Sequence, residues 1–166
     1  MKPEEHIKRL AQSNREFQDW FNRTLPHLVG AKAVKHFKDS FQNEGFTDEV
    51  LVKWQDVKRR TNPRKRRTRS GRTPASETQP ILTNSGDLGR SIDYTPQPGM
   101  VVVKSDTKGA GSDKDYAAAH NEGTTTAGRK HNVVIPKRQF MGKSKVLDRK
   151  VMEICTAQMK RILGGK

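Results

Sequence analysis

Several residues in this 166-residue chain are of types that could do chemistry: His120 and His131, Asp106, Asp113 and Asp115, Cys155, and Ser85 beside a glycine. None of them stands at a spacing that the chemistry needs. The two histidines lie eleven apart, without the i,i+4 pairing or the nearby cysteines of a zinc site. The three aspartates do not follow the ligand spacing of a calcium loop. Cys155 falls on the apolar side of a predicted helix, where a buried, inert thiol is expected. Ser85, in Ser-Gly-Asp-Leu, lacks the flanking glycines of a nucleophile elbow. The pairs His120-Asn121 and His131-Asn132 are not followed by the third histidine of a His-Asn-His nuclease, and no Gly-rich phosphate loop joins a strand to a helix. The expectation is therefore a chain that is not an enzyme, with no cofactor, no metal and no small-molecule substrate.

Charge is the stronger signal. The formal net charge is +15, and its distribution is uneven. Residues 1–57 balance nine basic against nine acidic groups, and residues 73–136 are nearly balanced as well. Lys58, Arg59, Arg60, Arg64, Lys65, Arg66, Arg67, Arg69 and Arg72 contribute nine positive charges within fifteen residues that contain no acid and no apolar side chain. Residues 137–166 add a further excess of seven. A concentrated run of this kind suits a local task against a polyanion or an acidic partner, while a solvated tether explains it equally well. Engagement of all nine cations with phosphates gives a log–log salt slope of about −8 as an upper bound. The run has no aromatic side chain to stack on bases and no helix-turn-helix beside it, so any nucleic-acid contact would be indifferent to sequence.

The elements that must position these residues read as one domain over 1–166. Leu, Ile, Val and Phe number 32, and none of them lies in residues 58–80. That stretch reads as a flexible basic and Pro/Ser/Thr-rich loop within the domain. Ile7, Leu10, Ala11, Phe17, Trp20 and Phe21 predict an amphipathic helix over 4–23, interrupted at Thr24-Leu25-Pro26. A second helix follows to Asn43 with Leu28, Ala31, Val34, Phe37 and Phe41 inward. Phe46, Leu51, Trp54 and Val57 predict a short segment pinned by the tryptophan. Beyond Pro80, Thr83 or Ser85 is expected to cap a short helix running through Ser91. A hairpin is expected from Ile92–Thr95 and Met100–Lys104, with Val101-Val102-Val103 covered on both faces. Residues 105–114 and 124–131 read as loops, Tyr116–Asn121 as a helical turn and Val133–Ile135 as a strand. Leu147, Val151, Ile154, Cys155 and Ile162 share one face of a terminal helix. The fold class is α+β: a small antiparallel sheet of about three to four strands, packed with N-terminal helices and a long C-terminal helix, with a disordered basic loop. A single cysteine permits no intrachain disulfide, the charged N-terminus carries no apolar signal core, and no apolar stretch approaches the roughly 20 residues of a membrane span.

An ordered set of residues in the second half carries a resemblance. It comprises Ile81-Leu82-Thr83, Ser85-Gly86-Asp87-Leu88, Ser91-Ile92, Tyr116-Ala117, His120-Asn121, Gly123 and Ile135-Pro136-Lys137-Arg138-Gln139-Phe140-Met141-Gly142, leading into the terminal helix. Upstream, Phe41, Gly45-Phe46 and Trp54 fit the same pattern. Over about residues 37–163 the chain resembles the phage virion-morphogenesis, or tail-completion, proteins of Mu-like and related tailed bacteriophages. The resemblance implies a non-enzymatic structural protein of virion assembly, acting in tail completion or head–tail joining. It implies a homo-oligomer, often a ring, with other phage neck and tail proteins as partners; the chain departs from the family pattern in the basicity of residues 58–72, and non-specific DNA contact is an expectation of that run alone. It also implies a virion component assembled in the bacterial host cytoplasm, with no membrane role. The alternative is a sequence-indifferent nucleic-acid-binding protein that uses residues 58–72. The family pattern supplies no catalytic residues. Trp54, Leu82, Gly86, Leu88, Tyr116, His120, Gly123, Pro136, Arg138 and Phe140 are its structural positions here.

Overall fold

The helix Leu25–Gln42 organises the molecule, and its inward face decides what can pack on it. The computed structural model describes residues 3–61, 79–83, 85–107 and 116–164. In chain order these form α1 (Pro3–Asp19), a π-helical turn (Trp20–Thr24), α2 (Leu25–Gln42), β1 (Gly45–Thr47), β2 (Leu51–Lys53) and α3 (Lys58–Thr61). There follow α4 (Asp87–Arg90), β3 (Ile92–Gln97), β4 (Met100–Ser105), α5 (Tyr116–Glu122), β5 (Thr124–Ala127), β6 (Val133–Ile135) and α6 (Lys145–Gly164). The fold is α+β, with N-terminal helices and a long C-terminal helix as expected.

The break expected at Thr24-Leu25-Pro26 is absent. The chain stays helical from α1 into α2 because one turn widens, with the Leu25 N–H reaching back five residues to the Trp20 carbonyl. Pro26, which has no N–H to donate, then falls in the first turn of α2, where a missing donor costs least.

The buried face of α2 is also rotated from the expected one. Leu28 is 41% exposed and Ala31 is exposed, whereas Gly30, Ala33, His36, Phe37, Ser40 and Phe41 are buried. Gly30 is the reason. A Cβ there would overlap the ring of Tyr94 on β3, so the absence of a side chain lets the hairpin lie directly on the helix. The core continues through Phe46, Trp54, Ile81, Leu88, Ile92, Ala117 and Phe140. At its centre Phe41 meets Trp54 edge-on at 5.7 Å and Phe140 at 5.3 Å.

Among the described residues, six strands form three two-stranded antiparallel sheets, where one small sheet of about three to four strands was anticipated. The longest pairs Ile92 with Ser105 through Gln97 with Met100 and turns on Pro98-Gly99. Val101 and Val103 are half-buried while Val102 is 43% exposed, so β4 alternates and is covered on one face only. Thr124–Ala127, read as part of a loop, is a strand paired with β6. α4 is shorter than expected. Its cap residue is Gly86 (φ 75), the Ser85 hydroxyl accepts a long 3.4 Å bond from the Asp87 N–H, and Thr83 bonds back to the Pro80 carbonyl. On α6 the expected face holds: Leu147, Val151, Ile154, Cys155 and Ile162 are all half-buried.

Candidate nucleic-acid interface

The basic run begins on a built root. Residues 58–60 carry its first three cations in the helical turn α3, so the run is ordered at its start, where a flexible loop was expected from residue 58. Arg60 makes a two-pronged ion pair with Glu44, Nη2 to Oε1 at 2.6 Å and Nη1 to Oε2 at 3.0 Å. Glu44 Oε1 also accepts the Ile81 backbone N–H at 2.8 Å. Arg60 and Arg59 both donate to the Gln79 carbonyl at 3.0 Å, and Arg59 donates to the Pro80 carbonyl at 2.9 Å. One carboxylate therefore holds the chain on both sides of the segment 62–78.

The Arg60 guanidinium holds the Glu44 carboxyl down from its ordinary 4.5 to about 2; burial opposes this, and the bond from the Ile81 backbone assists it. Two backbone conformations unusual for side-chain-bearing residues flank this clip, Glu44 at φ 47 and Leu82 at φ 59. Such left-handed residues cost about 1 kcal/mol or more each and persist where their surroundings hold them. Here the clip and the partial burial of Leu82 against the core do so.

Beneath the root lies a layer of polar contacts made by the family-pattern residues. Arg138 is only 7% exposed; its Nε donates to the Gln55 carbonyl at 3.1 Å and its Nη2 to the Asp56 carbonyl at 3.4 Å. The Arg138 backbone N–H bonds the His120 carbonyl at 2.8 Å. Burial, then Arg138, hold the His120 imidazole below its ordinary value, and its Nδ1 is buried with no partner among the described residues. Tyr116 sits edge-on to His120 at 6.1 Å. Trp54 Nε1 donates to the Gln139 carbonyl at 2.7 Å, and Asn121 Oδ1 accepts the N–H groups of Phe140 and Met141. Gly123 has φ 76, and a Cβ there would press on the backbone of Ile135 and Lys137. Pro136 ends β6, Leu88 is 3% exposed and Phe140 is 1% exposed.

Of the nine candidate contact cations, Lys58 is exposed on α3, while Arg59 and Arg60 point their guanidinium groups into the clip. Arg64, Lys65, Arg66, Arg67, Arg69 and Arg72 lie outside the described residues. The sequence reading did not single out Glu44 or Gln79. Their partners are 16 to 37 residues away, too far for any local spacing to signal. No group of three or more His, Cys, Asp or Glu able to hold a metal occurs among the described residues. No helix among them is long and apolar enough to cross a membrane.

The described residues form an α+β module packed around Trp54, Arg138 and Phe140, with Glu44 clipping residues 59–60 to residues 79–81. Residues 59–160, well over half of the chain, match the phage virion morphogenesis family, and the protein belongs to that family. It is a family of structural assembly proteins, which gives this chain a structural role in building the bacteriophage virion. No curated protein and no solved structure matches the chain.

Proposed function

We infer that the protein acts in tail completion or head–tail joining, as a non-enzymatic subunit of a homo-oligomer that meets other neck and tail proteins in the host cytoplasm. The observation that supports this is the condition of α1 and α6. Neither helix has a fully buried residue, yet both carry apolar side chains: Ile7 is 67% exposed, Leu10 60% and Met152 65%. Leu10, Phe17, Met159, Ile162 and Leu163 line an apolar groove of about 230 Å³ between the two helices. A chain with a thin core and such faces gains by burying them in an assembly.

Charge favours one geometry. α6 carries five basic and two acidic residues, α1 four acidic and three basic. Pairing α6 with α6 repels, whereas α1 of one copy on α6 of the next attracts. A head-to-tail contact of that kind closes into a ring if the rotation permits. Light scattering and negative-stain imaging of the full chain test it: an oligomer is expected, reverting to monomer in Leu10→Glu and Met159→Glu. A monomer at all concentrations, alone and with tail extracts, rejects the reading.

A second reading has its own support. The six cations between Arg64 and Arg72 are tethered at a root that Glu44 holds together, which suits contact with DNA or an acidic partner. Duplex binding by the monomer, with a salt slope steeper than about −4 that collapses on deletion of residues 62–78, favours a sequence-indifferent nucleic-acid binder.

A further inference from the structure

A separate cationic surface consists wholly of described residues. A groove of about 420 Å³ opens between the β1–β2 hairpin and the segment 137–143. Phe46 and Val52 are register partners, and Val52 precedes Trp54 by two positions, so the three side chains lie on one face of the hairpin. Phe46 and Trp54 are buried in the core; Val52 stands at the lip, 66% exposed. The opposite wall is held firmly, by the Trp54 bond to the Gln139 carbonyl and by the two backbone bonds to Asn121. The groove is thus preformed.

Its rim is positive. Lys137 and Lys143 line it together with one carboxylate, Asp48, while Lys53, which borders it, alternates with Val52 and Trp54 and so turns its ammonium to the hairpin's other face. Asp48 is already in use, accepting the Lys145 N–H at 2.7 Å at the start of α6. Lys53 donates to a neutral acceptor, the Asn43 carbonyl, at 2.7 Å. Lys137 lies 3.5 Å from Glu122, with both side chains more than half exposed, a contact of little strength. Lys143 has no ionic partner among the described residues.

We propose that this groove binds an extended acidic peptide segment of a neighbouring virion protein, setting one apolar side chain on Val52 and the exposed edge of Trp54 and its carboxylates on Lys137 and Lys143. The volume accommodates a few side chains. The pairing of an apolar lip with a cationic rim distinguishes a peptide from nucleic acid, because a phosphate backbone satisfies the lysines and leaves Val52 uncovered. The provenance of the partner rests on the family; the site does not rest on the oligomer or on the basic run.

Fluorescence anisotropy with the full chain tests it, using a fluorescein-labelled peptide of alternating glutamate and leucine, hexaglutamate and a short DNA duplex. The mixed peptide binds, and hexaglutamate binds at least about fivefold more weakly. Val52→Ser and Lys143→Glu, both at exposed positions and checked for folding by circular dichroism, each weaken the mixed peptide by about threefold to tenfold. The triple charge reversal of Arg64, Arg66 and Arg67 leaves it unchanged. Equal binding of hexaglutamate, indifference to Val52→Ser and Lys143→Glu, loss in the triple variant alone, or equal competition by DNA each overturns the proposal. None of these outcomes bears on whether the chain forms a ring.

Discussion

Glu44 is one source of the acid sensitivity of the molecule. Its carboxyl is held at about 2 in the folded chain against 4.5 ordinarily, so the folded state binds fewer protons than the unfolded one between those values. The stability it supplies is complete above about 4.5 and is lost as pH falls toward 2. Glu44→Gln should cost about 1 kcal/mol at neutral pH, because the ion pair is partly screened and glutamine still accepts the Ile81 N–H. The variant should also flatten the acid limb of a denaturation series, whereas a curve parallel to wild type would remove Glu44 as a source. The histidines act in a higher window. Burial first, then Lys150, hold His36 below 6.5; burial first, then Arg138, do the same at His120. Both stay neutral in the fold, so stability is full above about 6.5 and declines as pH falls through their lowered values. His120→Gln should reduce that decline, read as the melting temperature at pH 7 and at pH 5.

At the scale of elements, the contact of α2 with β3 depends on Gly30. Helix propensity alone predicts that Gly30→Ala stabilises by about 1 kcal/mol. The overlap with the Tyr94 ring predicts the opposite, a cost of about 1–3 kcal/mol for overpacking, and the steric effect should win. A urea midpoint that rises in this variant would show that the hairpin can shift. Phe140→Ala, at 1% exposure and against Phe41, should cost about 3–5 kcal/mol. Much of this layer was legible from sequence: the aromatics of α2, the Trp54 anchor, the hairpin after Ile92 and the shared face of α6 all follow from spacing. The rotated face of α2 was not, because apolar patterning rewards Leu28 and ignores a glycine whose value lies in what approaches it. The π-helical turn was missed for a related reason. Proline is read as a stop, and a widened turn that absorbs it leaves no mark in composition. The Glu44 clip was invisible because it joins three segments far apart in sequence, through one ion pair, the carbonyls of Gln79 and Pro80 and a single N–H.

For the whole molecule, two kinds of surface coexist and respond oppositely to salt. In the proposed assembly, screening weakens the small charge attraction of α1 for α6 but relieves the larger repulsion between subunits of net charge +15, so association through the apolar faces should hold as salt rises. Contacts of the basic run with a polyanion, if the second reading holds, should weaken steeply over the same range. Sedimentation and DNA binding measured between low and moderate salt should therefore diverge in sign. If both fall together, a single electrostatic surface serves both tasks.

The Ser40 hydroxyl donates to the Phe140 carbonyl, a bond spanning 100 residues. Trp54 and Asp48 are likewise closed by residues 85 to 97 positions later. During synthesis, Phe37 and Phe41 emerge long before the segment that covers them. At about 5–20 residues per second the interval is about 5–20 s. Through that time Phe41 can meet Trp54 but lacks Phe140, its other ring neighbour in the core. The protein must complete its own core late, and a nascent chain stalled before Phe140 would be a target for chaperones.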